Sequence, residues 1–220
     1  MKIVIHSAIL YLIILIVIPS PRISAKEIYH SGHDLLVHQM YLPIDNSEPR
    51  NEEVTTIVIH SISNVLANPD SPYRITDVYQ LLKEYGLSTH YIIDRSGEIF
   101  QLVPDYRVAY HAGRSSFPYL PFFPHNMNQF SIGIELMGIG TKDEMLSIVP
   151  EALYDALDKN LIGYTEEQYQ SLSWLLAQLH QKYPSIGRDR FHVIGHEEYA
   201  PGRKSDPGKL FHWEKIFETK

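Results

Sequence analysis

Residues 54–60 read Val54-Thr55-Thr56-Ile57-Val58-Ile59-His60. Six consecutive β-branched side chains have restricted χ1 and pack well on a pleated surface, so 54–59 reads as a strand. Its second half is apolar without a break, the mark of a buried strand. His60 follows directly, placed to project from the end of a sheet into a cleft.

Working outward, similar strand-like runs recur. Thr89–Asp94 and Glu98–Val103 flank Arg95-Ser96-Gly97 and read as a hairpin, and Ser131–Met137 (SIGIELM) and Arg190–Ile194 (RFHVI) read as further strands. Between them lie helical patterns. One spans Thr76 or Asp77 to Tyr85 and stops at Gly86; a shorter one covers Glu151–Lys159. The best runs from Thr165 to Lys182: Thr165 and Gln168 form a capping box, and Tyr169, Leu172, Leu175, Leu176 and Leu179 share one face. Strands interleaved with helices predict one α/β domain, a mixed central sheet flanked by helices, with a cleft at one end of the sheet. Residues 26–53 read as a lead-in segment contributing an edge strand, 54–220 as the main domain, and 114–126 as a stiff loop rich in Pro and aromatics.

The N-terminus has its own character. Lys2 precedes an apolar run from Ile3 to Ile18, then Pro19-Ser20-Pro21 and the small residue Ala25. A charged start, an apolar core and a small cleavage residue describe a secretory signal over 1–25. An uncleaved anchor is the alternative, although the run is short for a span, which needs about 20 apolar residues. A third reading is a buried helix of the mature protein. Signal and anchor both place the protein outside the cytoplasm, periplasmic or secreted, and cleavage leaves a mature form with no integral span. The formal net charge of -7 argues against a nucleic-acid partner, which calls for surplus Lys and Arg. The chain has no Cys, so disulfides, Cys-ligated zinc and a thiol nucleophile are excluded.

Twelve His in 220 residues prompt a search for metal ligands. Besides His60, the stretch Gly195-His196-Glu197-Glu198-Tyr199-Ala200-Pro201-Gly202-Arg203-Lys204-Ser205-Asp206-Pro207-Gly208 stands out. Again a strand ends in His; a loop then turns back to present Asp206, whose backbone Pro207 biases toward an extended form. Two imidazoles and one carboxylate with a fourth position open to water make a catalytic zinc set, whereas a structural site would close all four. Taken singly, each histidine also reads as an ordinary core or surface residue. Other chemistries fall away: His196-Glu197 starts like H-E-x-x-H but meets Ala200 at the fifth position, Gly138-Ile139-Gly140 lacks a third glycine, and no G-x-S-x-G elbow exists.

Six segments in order resemble the N-acetylmuramoyl-L-alanine amidase family 2, the superfamily of AmpD- and AmiD-type amidases, T7 lysozyme and peptidoglycan recognition proteins. They are VIH ending at His60, THYIIDRSGEIFQLVP at 89–104, AYHAG at 109–113, NQFSIGIEL at 128–136, YTEEQY at 164–169 and GHEEYAPGRKSDPG at 195–208. The resemblance implies one zinc ion per chain held by His60, His196 and Asp206, with Glu135 as general base for the attacking water. It implies that Lys204 offsets charge developing on the amide oxygen, and that the bond cut joins N-acetylmuramic acid to the L-Ala of the stem peptide. The partner is then peptidoglycan or soluble muropeptides. Tyr110 and His111 are expected to line the groove, and charge logic adds Arg203 and Arg114 for stem-peptide carboxylates. His90 reads as a hydrogen-bonded structural histidine. Residues 139–163 read as an insertion, a helical flap beside the cleft. The rival reading is a non-catalytic peptidoglycan-binding module on the same fold.

Overall fold

The computed structural model describes residues 36–113 and 126–217. The expected signal at 1–25, Arg114 and all but the last residue of the 114–126 loop lie outside the described residues. Eight strands form: β1 Val37–Gln39, β2 Ser47–Pro49, β3 Thr56–Ile62, β4 Tyr91–Ile93, β5 Ile99–Gln101, β6 Arg107–Ala109, β7 Ser131–Met137 and β8 Val193–Gly195. Six make one sheet in the order β1-β5-β4-β7-β3-β8, and β2 pairs with β6 separately. The pair β4–β5 is antiparallel and every other pair in the large sheet is parallel, so the sheet is mixed. Helices α1 Ile75–Glu84, α2 Met127–Phe130, α3 Lys142–Met145, α4 Glu151–Ala156, α5 Glu166–Lys182 and α6 His196–Tyr199 complete the fold. No helix of the described residues is long and apolar enough to cross a membrane.

One core packs α5 against the sheet. Ile57 and Ile59 of β3 with Ile132, Ile134 and Leu136 of β7 meet Tyr169, Leu172, Leu175, Leu176 and Leu179. Each fully buried leucine contributes roughly 1.5–3 kcal/mol, so this apolar face, more than helix propensity, holds α5 in place. The capping box at Thr165 and Gln168 forms as its sequence predicts. Side chains alternate along a strand, so Val58 and His60 of β3, with Ser131, Gly133 and Glu135 of β7, point to the face away from α5. On that face α1 packs Val78 and Leu82 against Ile92, Leu102 and Met137.

Several boundaries differ from the sequence reading. β3 does not end before His60 but runs on to Ile62, because β7 pairs with it residue for residue as far as Met137. The cleft is lined by residues 60–63 at the end of β3, by Glu135 and Gly138 toward the end of β7 and by His196 after β8, so it lies at the C-terminal ends of these parallel strands. The last strand begins at Val193 instead of Arg190. The Asp189 carboxylate accepts the backbone N–H of Phe191 and His192, and its carbonyl accepts those of His192 and Val193, which turns 189–192 away from the sheet. The lead-in segment supplies β1 at the sheet's edge and also β2. Residues 139–163 fold as α3 and α4 around a small core of Val65, Ile139, Met145, Val149, Tyr154 and Leu157. The helix expected over Glu151–Lys159 stops at Ala156, and a 3-10 turn follows at Lys159–Leu161.

Candidate active site

In the parallel register of β3 and β7, His60 stands directly beside Glu135, while Ile59 pairs with Gly195 of β8. The chain leaves β8 into α6, so His196 is the first residue of a helical turn and not the last of a strand. Ala200 at its end accepts the N–H of Arg203 and Lys204, and the Glu197 N–H donates to the Asp206 carbonyl. These bonds fold the loop back on α6 and bring Asp206 to the two histidines.

Three donor atoms converge. Nδ1 of His60 and Nδ1 of His196 are 3.0 Å apart, and Oδ2 of Asp206 lies 2.9 Å from the first and 3.1 Å from the second. Among the described residues this is the group able to hold a metal ion. Their chemistry fits one. Nε2 of His196 faces the Ala112 carbonyl at 3.0 Å. A carbonyl only accepts, so that nitrogen carries the hydrogen and Nδ1 of the neutral ring is a bare lone pair. A lone pair and a carboxylate oxygen 3.1 Å apart repel unless positive charge lies between them. Protons do not supply it at neutral pH on His60, which burial, then His196, pushes down to about 4 against the pull of Asp206. Burial alone would raise the Asp206 carboxyl, but the facing imidazoles of His196 and His60 outweigh it and hold it far below the carboxylate range.

Glu135 is 9% exposed, and its Oε2 finds no hydrogen-bond partner among the described residues. Burial, then the charge of Asp206, raises its pKa well above the usual value, and the Lys204 ammonium opposes this. An orphaned carboxyl oxygen beside a triad able to hold a metal ion costs stability unless a ligand meets it. A cleft of about 450 Å³ opens over these groups. Its lining includes Tyr110, His111, Arg203 and Lys204, and one wall comes from Glu144, Met145, Ser147 and Ile148 of the 139–163 segment. Arg203 also donates to the Ala112 carbonyl. His90 is buried away from the cleft; its Nδ1 accepts the Gly133 N–H and its Nε2 meets the Arg107 carbonyl.

Two polar residues at the site escaped the sequence reading. Asn128 Oδ1 accepts the backbone N–H of both His111 and Ala112, and Ser131 Oγ lies 3.2 Å from Nε2 of His111. Period-two alternation along 131–137 was the available signal for Ser131, since it shares a face with Glu135.

The family described as N-acetylmuramoyl-L-alanine amidase (Amidase_2) matches residues 50–209. The chain belongs to that family. It is an amidase, as its relatives' names state. The 1,6-anhydro-N-acetylmuramyl-L-alanine amidase AmpD of Escherichia coli (strain K12) is 30% identical over 185 residues, covering 79% of this chain and 86% of its own. The crystal structure of a Se-Met AmpD derivative superposes with a TM-score of 0.60 at 29% identity, over 82% of this chain and 92% of that one. Escherichia coli AmiD, solved with anhydro-N-acetylmuramic acid-L-Ala-D-gamma-Glu-L-Lys, gives 0.55 at 26% identity, over 77% and 59%.

Proposed function

We propose that the chain is a zinc amidase that hydrolyses the bond between the lactyl group of N-acetylmuramic acid and the L-Ala of the stem peptide, with soluble anhydro-muropeptides as substrate. The observation that carries this reading is the convergence of His60, His196 and Asp206 beside the orphaned carboxyl of Glu135. The substrate class rests on the relatives: AmpD is named for the 1,6-anhydro sugar, and AmiD was solved with an anhydro-muropeptide.

His60, His196 and Asp206 would hold the ion; three protein ligands leave the fourth position for water, as catalytic zinc sites do. Zinc held there would supply a Lewis acid able to acidify water, polarise the scissile carbonyl and favour the ionised form of Glu135. Glu135 takes the proton from the attacking water, and the carboxyl so formed gives it back to the departing amine of L-Ala. A buried carboxyl with a raised pKa suits both halves of that exchange. The Lys204 ammonium offsets negative charge growing on the amide oxygen, an effect strengthened where water is excluded. Tyr110 and Arg203, which line the cleft, would meet the sugar–peptide junction and a stem carboxylate. Arg114 is proposed for the same work on charge alone.

The test is digestion of purified peptidoglycan and of anhydro-muropeptides, with and without a chelator, read by mass spectrometry. Release of stem peptides beginning with free L-Ala, lost with chelator and restored by zinc, is the expected result. Zinc binding without cleavage of either substrate would leave a binding module instead.

A further inference from the structure

We propose that His111 is a positioning residue for the metal centre: its Nδ1 accepts the Nε2–H of His60, and its own Nε2–H rests on Ser131, so that His60 is locked with a bare Nδ1 toward the ion. The inference rests on the metal reading above, but its direction comes from outside the centre.

It begins at a carbonyl. Ser131 Oγ lies 2.7 Å from the Met127 carbonyl, which can only accept, so the hydroxyl hydrogen is spent there. Toward Nε2 of His111, 3.2 Å away, the Ser131 oxygen therefore acts as acceptor, and that nitrogen carries the hydrogen. Two ring nitrogens 2.9 Å apart share a single hydrogen; on Nδ1 of His111 it would leave that ring with hydrogen on both nitrogens, a cation set edge-on against His60, so Nδ1 of His111 is the lone pair. That lone pair faces Nε2 of His60 at 2.9 Å, which must then donate. A neutral His60 with hydrogen on Nε2 has a bare Nδ1, the atom that faces His196 and Asp206. Each link permits one direction only.

The surroundings are shaped for this ring. A Cβ at Gly133 would come within 2.6 Å of Cγ of His111, so the imidazole lies against the strand backbone where only glycine leaves room. Asn128 holds the backbone of His111 and Ala112 through both N–H groups. The next residue does the matching task for the second imidazole, since the Ala112 carbonyl accepts from Nε2 of His196. One dipeptide thus orients both histidine ligands, His60 through a side chain and His196 through the backbone. This explains why AYHAG and the Asn and Ser of NQFSIGIEL belong to the site although none faces the ion.

The experiment compares zinc affinity by chelator competition in the wild-type protein, His111→Phe, His111→Asn and Gly133→Ala, and reads histidine tautomers by 15N–1H spectroscopy on zinc-loaded wild type. Loss of an orienting partner weakens metal binding about 10–100-fold, which is expected for His111→Phe and Gly133→Ala. His111→Asn keeps an acceptor close to the place of Nδ1 and is expected to stay within about threefold of wild type. Both His60 and His111 should appear as Nε2–H tautomers. An Nδ1–H tautomer at His111, zinc affinity unchanged in His111→Phe, or equal losses in His111→Phe and His111→Asn would overturn the role. Failure of the wild-type protein to bind zinc would overturn the metal reading and this role together.

Discussion

Glu135 sits on a central strand, buried, with one carboxyl oxygen unsatisfied among the described residues and a triad able to hold a metal ion beside it. Glu135→Gln preserves shape and removes the base, so kcat should fall about 10²–10⁴-fold. Zinc content measured on the same sample should stay at one ion per chain; loss of metal would mean that Glu135 is a ligand and not a base. Asp206→Ala should instead empty the site, checked by metal analysis after dialysis. At this scale the sequence showed residue types and their placement near strand ends. It could not show that His60 and Asp206, 146 residues apart, meet at 2.9 Å. Asn128 stayed hidden for a different reason: its partners are backbone groups of a remote segment, which carry no side-chain signature.

Elements long enough to show a period were legible. β7 occupies the residues its alternation marks, and α5 follows its capping box and leucine face. Three-residue strands such as β2 and β6 show no period, and their pairing is settled by where longer elements carry them. The 139–163 segment adds a joint to the site. Glu144 accepts the Thr141 N–H and hydroxyl through Oε2 and the Lys209 N–H through Oε1, tying α3 to the loop that bears Asp206. Glu144→Ala should cost about 1–2 kcal/mol, since the part-buried Thr141 N–H and hydroxyl lose their partner. Hydrogen exchange at the Lys209 amide should quicken far more than at amides of α5. Uniform acceleration across both would show that the joint is no local clamp.

For the molecule as a whole, acid is the sensitive direction. His90 is buried beside Arg50, and burial first, then that guanidinium, moves it from 6.5 to about 4. An unfolded chain takes this proton near pH 6.5 and the folded one only near 4, so between them the unfolded state binds more protons. Stability is therefore full above pH 6.5, declines as pH falls, and is down by roughly 3 kcal/mol below 4 from this residue alone. The urea midpoint followed from pH 7 to 4 should show the decline, and His90→Gln should make it shallower, the remaining slope coming from the buried rings of His60 and His111, which are lowered in the same direction. We propose that a signal is cleaved after Ala25: N-terminal sequencing of the mature protein should begin at Lys26, whereas a start at Met1 would favour the anchor.

The centre draws on β3 near one end of the described chain, β7 in the middle and the loop after β8 near the other. A ribosome delivers these parts in that order, with His60 first and Asp206 last. A polypeptide interrupted anywhere before residue 206 would lack one of the three proposed ligands, and such a fragment is not expected to cut a muropeptide. On the proposed ligand set, hydrolytic competence is timed by translation itself: the centre can close only after residue 206 has emerged.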